Sequence, residues 1–128
     1  MAKLYCRIAG VILLITVPLG LANIGMPGVF GFNEPAEIGL HLVLGLLAAY
    51  AGFSGGPGSE LAGTYARVFG ILYLLGGAVG FMMPNPIPGL VHLDLGCNFL
   101  HVVLGVWGIW AGYFAEQPTV SHGATAHA

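Results

Sequence analysis

Apolar residues run almost unbroken along this chain, and eight charged side chains cut the run into four lengths. The charges are Lys3, Arg7, Glu34, Glu37, Glu60, Arg67, Asp94 and Glu116, which leaves 8–33, 38–59, 68–91 and 95–115 without any. A helix crosses the hydrocarbon of a bilayer with about 20 residues at 1.5 Å each. Each length meets that requirement and is dominated by Leu, Ile, Val, Ala, Gly and aromatics. Backbone polar groups inside lipid must be satisfied within their own segment, so these lengths are helices rather than open strands. The pattern predicts spans near 5–24, 36–53, 65–83 and 95–114. The expected fold class is all-α, a four-helix transmembrane bundle.

Composition narrows the function. Only 6% of the 128 residues are charged, against about a quarter in a soluble domain. Such a chain cannot build a polar exterior, and it lacks the basic face that nucleic acid requires. The bilayer is therefore the expected partner. The three basic residues set the orientation: Lys3 and Arg7 precede the first span and Arg67 opens the third. An even number of crossings puts all three on one side, the cytoplasmic side by the positive-inside rule, with both termini. Tyr5, Tyr50, Tyr65, Trp110 and Tyr113 are expected to form an aromatic belt at that interface.

Shifted by 60 positions without gaps, the chain matches itself. Tyr5-x-Arg7-x-x-Gly10 falls on Tyr65-x-Arg67-x-x-Gly70, and Leu40-His41-x-Val43-Leu44-Gly45 falls on Leu100-His101-x-Val103-Leu104-Gly105. Ala51-Gly52 falls on Ala111-Gly112. The expected organisation is two tandem hairpins that enter the membrane in the same direction, 1–60 and 61–116, followed by a polar tail, 117–128. The first span has the basic start and apolar core of a secretory signal, but its match to the third span argues that it is retained. Small residues at spacing four, Gly45/Ala49, Ala48/Gly52 and Gly108/Gly112, together with Gly76, Gly77 and Gly80, predict close helix contacts. Pro18 predicts a kink in the first span.

The repeat places His41 and His101 at one depth on the second and fourth spans, each one turn after a candidate ligand, Glu37 or Cys97. Ionisable residues within a span are functional candidates by default. Carboxylate, thiolate and two imidazoles have the right chemistry for a metal. The imidazoles alone have the chemistry to ligate a haem or chlorophyll-type tetrapyrrole, with Gly45 and Gly105 leaving room for a flat macrocycle. The plainer reading is that both histidines hydrogen-bond to Glu37, Asn98 or backbone and hold helices together. Arg7 and Arg67 read as interfacial anchors, with Glu60 or Glu116 as optional partners for Arg67. Cys6 and Cys97 lie at opposite ends and are not expected to bridge. His92 and Asp94 are expected to cap the fourth helix, with polar ligands at the outer surface as the alternative, and His122 and His127 lie in the tail.

The segment Asn98-Phe99-Leu100-His101-Val102-Val103-Leu104-Gly105 resembles the signature of a family of small four-span bacterial membrane proteins classed as a domain of unknown function. Asp94, the Pro84-Asn85-Pro86 loop and Ala66-Arg67-x-x-Gly70 fit the same pattern. The resemblance implies an integral bacterial membrane protein with Asn98 and His101 as marked positions, and the expected location is an inner or photosynthetic membrane. The chain lacks a nucleophile–base pair, a phosphate loop and a CxxC motif. The expectation is therefore a non-catalytic accessory subunit of a larger energy-transducing membrane complex, photosynthetic or respiratory. The alternative is a tetrapyrrole-binding pigment or redox protein using His41 and His101. A small transporter is the third reading, which requires polar groups at mid-depth where glycines and alkyl chains are expected.

Overall fold

The computed structural model describes residues 1–26, 29–31, 34–55, 57–83 and 94–115. Four helices follow in order: α1 (Ala2–Leu21), α2 (Pro35–Phe53), α3 (Pro57–Met82) and α4 (Leu95–Ile109), the last continued by a π-helical turn, Trp110–Phe114. All four are long and apolar enough to cross a membrane. α1 packs chiefly on α2, and α3 chiefly on α4. The 117–128 tail, Glu116, His92 and the Pro-Asn-Pro loop lie outside the described residues.

Three boundaries differ by three residues or more from the sequence expectation, among them the end of α1, at Leu21 rather than Ile24. α1 starts at Ala2 rather than Tyr5, because Lys3 and Arg7 are accommodated within its first two turns. α3 starts at Pro57, eight residues before Tyr65, since proline suits a first helical turn. Glu60 in that turn complements the helix dipole. Pro18 does not end α1, and the Ala22 N–H still donates to the Pro18 carbonyl at 3.0 Å. The helix closes in a Schellman motif: Asn23 donates to Gly20 (3.1 Å) and Ile24 to Leu19 (2.8 Å), with Asn23 left-handed at φ 54°. The connection that follows is tied to α4 by Gly96 N–H donating to Val29 O at 2.8 Å. Asp94 occupies the N-cap position of α4 without a side-chain capping bond, so its favourable effect there is charge beside the helix N-terminus.

Size sorts the side chains. The interior is built from Ala9, Ala48, Ala51, Ala62, Ala66 and Ala111, with Tyr5, Tyr65 and Cys6 as its largest fully buried side chains. Most Leu, Ile, Val and Phe side chains point outward, with Leu13 and Leu104 the buried exceptions among the described residues. A water-soluble protein does the reverse. In lipid, apolar side chains gain little by facing inward, and small residues let backbones approach and form the dispersion contacts that hold helices together.

The glycines show how close that approach is. A Cβ on Gly10 would lie 2.8 Å from Ala49 N, and one on Gly70 2.7 Å from Ile109 N. One on Gly52 would meet Arg7 N at 2.7 Å, and one on Gly112 would meet Arg67 N at 2.8 Å. Gly77 is similarly tight against Val102, whereas Gly76 has nothing within 4 Å and takes no part in a helix contact.

The basic residues share one end of the bundle, where Cys6 on α1 lies against Ala62 on α3. Lys3 Nζ donates to Ser54 O at 2.8 Å, Arg7 Nε to Gly52 O at 2.7 Å and Arg67 Nε to Gly112 O at 2.7 Å. Each cation therefore satisfies a carbonyl at a helix C-terminus, where the dipole favours positive charge. Arg7 also lies over Phe53 and Arg67 over Tyr113, at 5.5 and 5.6 Å from the ring centroids. Arg67 is thus engaged by Gly112 and Tyr113 rather than by Glu60.

The aromatic belt needs correction. Tyr50, Trp110 and Tyr113 are exposed, but Tyr5 and Tyr65 are 0% and 1% exposed. Both turn inward because a carbonyl waits for each hydroxyl across the bundle: Tyr5 donates to Leu104 O on α4 (2.9 Å) and Tyr65 to Leu44 O on α2 (3.3 Å). Gly108 makes the space, since a Cβ there would lie 2.7 Å from the Tyr5 hydroxyl.

Candidate functional site

Six polar side chains from all four helices line one cavity at the end where α2 and α4 begin. They are Thr16 from α1, Glu37 and His41 from α2, Tyr73 from α3, and Cys97 and His101 from α4. Ile12, Leu13, Leu100 and Leu104 complete the walls, and the cavity measures about 20 Å3. Local helix geometry assembles it. Glu37 and His41, and likewise Cys97 and His101, are four residues apart and so share a helix face. Glu37, Cys97 and Thr16 are buried.

Counting donors assigns the His41 tautomer. The Thr16 hydroxyl has one proton and donates it to Leu13 O at 2.6 Å, a back-bond within α1. The Thr16 Oγ1–His41 Nδ1 contact of 2.8 Å must then run the other way, with Nδ1–H donating. His41 Nε2 faces Glu37 Oε1 at 3.8 Å, too far for a direct hydrogen bond. The two side chains therefore face one another across the cavity without a direct bond.

On the far wall, His101 stacks on Tyr73 with ring centroids 5.9 Å apart and planes 24° apart. The Tyr73 and Tyr65 hydroxyls are 2.8 Å apart. Because Tyr65 donates to Leu44 O, Tyr73 is the donor of that pair, and its oxygen is left to accept at the cavity. Glu37 Oε2, His101 Nδ1 and Asn98 Oδ1 are buried without a hydrogen-bond partner.

The structure brings His41, His101, Glu37 and Cys97 to the same cavity. Asn98 is buried on α4 but does not line it. Among the described residues, no three His, Cys, Asp or Glu side chains are arranged to hold a metal ion. A tetrapyrrole does not fit. Pockets for cofactor-sized ligands begin at about 300 Å3, and this one is about 20 Å3. The expected room at the glycines is also filled: a Cβ on Gly45 would meet Leu14 at 2.9 Å, and one on Gly105 would meet Leu74 N at 2.5 Å. Nor are these residues placed for a pigment on the outside, because the His41 side chain is only 12% exposed. Cys6 and Cys97 are both free and buried.

Sequence reasoning missed Thr16 and Tyr73. Each is the lone hydroxyl of its uncharged stretch, Thr16 within 8–33 and Tyr73 within 68–91. That isolation was the available signal, since a polar group in a span needs a partner. Thr16→Val is expected to lower the thermal midpoint of the solubilised protein, by a loss of about 1 kcal/mol, because the hydrogen bond between His41 and Thr16 is lost. Thr16→Ser restores the oxygen and is expected to unfold with the native protein. Equal midpoints for the native and Thr16→Val proteins would exclude this bond as a contributor. No family model, no curated protein and no solved structure matches the chain.

Proposed function

We propose that this chain is a small integral membrane subunit that acts by packing, as an accessory to a larger energy-transducing membrane assembly, and that it catalyses no reaction itself. The observation that carries this reading is the contrast between interior and exterior. Glycine-mediated contacts bring the described helices close together, and the cavity that the six polar side chains line measures about 20 Å3, which admits no metabolite. The exterior is broad and apolar, with no more than 39% of any spanning segment buried inside the bundle. It includes an open groove along α4 walled by Val102, Val103, Val106, Trp107 and Trp110. Grooves lined by tryptophan and branched aliphatics suit the side chains of another transmembrane helix.

The architecture we infer is a pair of tandem parallel hairpins. Several contacts recur sixty residues apart in support: Arg7 to Gly52 with Arg67 to Gly112, Gly10 against Ala49 with Gly70 against Ile109, and Tyr5 to Leu104 with Tyr65 to Leu44. The last pair crosses between the hairpins in both directions, as a two-fold axis along the membrane normal requires. The shared basic end is the cytoplasmic end on this reading, with both termini there, and the host membrane is a bacterial inner or photosynthetic one.

Gentle solubilisation of the native membrane followed by native electrophoresis tests the proposal. The chain is expected to migrate with a respiratory or photosynthetic complex. Val103→Trp, which fills the α4 groove from an exposed position, is expected to release it while leaving its helix content intact. Migration of the native chain as a free species at every mild detergent concentration would overturn the proposal.

A further inference from the structure

We propose that the cavity between α2 and α4 is a water-binding site, in which one or two water molecules bridge Glu37 Oε2 to His101 Nδ1. Three independent features lead there. Both atoms are buried and without a partner, although a carboxyl oxygen and a ring nitrogen are strong hydrogen-bonding groups. Glu37 and His101 belong to different helices and line the same cavity, so the space between them is shared. That space, about 20 Å3, exceeds the roughly 10–15 Å3 that a single water needs and is too small for any larger ligand class.

Polarity decides whether such a cavity is wet. Cavities lined only by alkyl groups stay dry, whereas a buried water is held where about three protein groups can bond to it. Here Glu37 Oε2 and His101 Nδ1 supply two partners, and the Tyr73 oxygen, whose own proton goes to Tyr65, supplies an acceptor for the third. Water suits this wall because it both donates and accepts. It serves Glu37 and His101 whichever nitrogen of His101 is protonated. The consequence is continuity. Thr16 on α1 with His41 and Glu37 on α2 form one polar group; on α3, Tyr73 and Tyr65 form another, beside His101 on α4. The water joins them, so that a hydrogen-bonded line runs from the start of α2 to the bundle centre, ending on Leu44 O. A line that ends on a carbonyl offers no onward donor, so the site is not a channel, and it exists whether or not the chain joins an assembly.

Infrared spectra of the protein in lipid nanodiscs, recorded in ordinary water and in water labelled with oxygen-18, test the site. The native protein is expected to show a sharp O–H stretch from enclosed water that shifts with the label. Glu37→Gln, which keeps the shape but changes the acceptor, is expected to displace that band. His101→Phe, which keeps the stack on Tyr73 but removes the nitrogen, is expected to abolish it. Helix content by circular dichroism checks that each variant is folded. Should His101→Phe fail that check, His101→Gln takes its place, with a displaced band expected. A native spectrum with no label-sensitive band, or a band that either folded variant leaves at its native position, overturns the proposal.

Discussion

Gly105→Ala is expected to cost the bundle about 3 kcal/mol or more, while Gly76→Ala, one turn from the same interface, costs nothing. Both replacements add one methyl group to a helix, and in isolation each would favour that helix by about 1 kcal/mol. The difference lies in what the methyl meets. At Gly105 it would sit 2.5 Å from Leu74 N and 2.7 Å from Leu74 Cα. Those are backbone atoms of α3, which no rotamer change can move aside. Relief requires α3 and α4 to separate, which weakens contacts along their whole length. Overpacking typically costs 1–3 kcal/mol when side chains can adjust, and more when the backbone must shift. At Gly76 nothing lies within 4 Å, so only the gain in helix propensity remains. Thermal midpoints of the two variants in one detergent make the comparison direct. A Gly105→Ala protein as stable as the native one would mean that α3 and α4 are further apart than described.

Those two glycines also show where reading the chain from its residues succeeded and where it stopped. Four helices long and apolar enough to cross a membrane were legible because eight charges punctuate an otherwise apolar chain, and charge is expensive in lipid. The gathering of Glu37, His41, Cys97 and His101 was legible because helical spacing aligned each pair and the sixty-residue match set the two pairs level. The inward face of each helix was not legible. In a soluble helix, hydrophobic periodicity marks the buried stripe. Here every face is apolar, and the inner face differs only in being small. Gly76 and Gly77 look alike in the chain, and only Gly77 meets a neighbour.

The same blindness explains Tyr5 and Tyr65. A tyrosine near a basic residue at a helix end reads as an interfacial anchor, and hydropathy has no means of turning it inward. The information was present in size rather than polarity. Tyr5 lies between Ala2 and Ala9, and Tyr65 between Ala62 and Ala66, with every one of these alanines buried. Small residues one turn away, as at Ala2, Ala9 and Ala62, mark the face on which helices touch, and a tyrosine in that stripe is carried inside. The macrocycle expectation failed for a related reason. Glycine leaves room beside a helix only until the neighbouring backbone takes it, and Leu74 has taken it at Gly105.

Tyr65→Phe is expected to destabilise the bundle by about 2 kcal/mol and Tyr5→Phe by about 1 kcal/mol, an asymmetry between two residues in matching positions. Tyr5 makes one hydroxyl bond, to Leu104 O, a carbonyl that belongs to a helix and can still accept from its own ladder. Removing that hydroxyl forfeits a bond and strands nothing. Tyr65 donates to Leu44 O and also accepts from Tyr73 at 2.8 Å. Without it, the Tyr73 proton is left inside the bundle with no acceptor, and an orphaned buried donor costs more than the loss of a bond. The asymmetry yields a sharper test than either single change. In the Tyr65→Phe, Tyr73→Phe double variant the stranded donor is gone, so the double variant is expected to be no less stable than Tyr65→Phe alone. Measured midpoints in which the two single losses simply add would show that the hydroxyls do not depend on each other, and would remove the bonded line from Leu44 to the cavity.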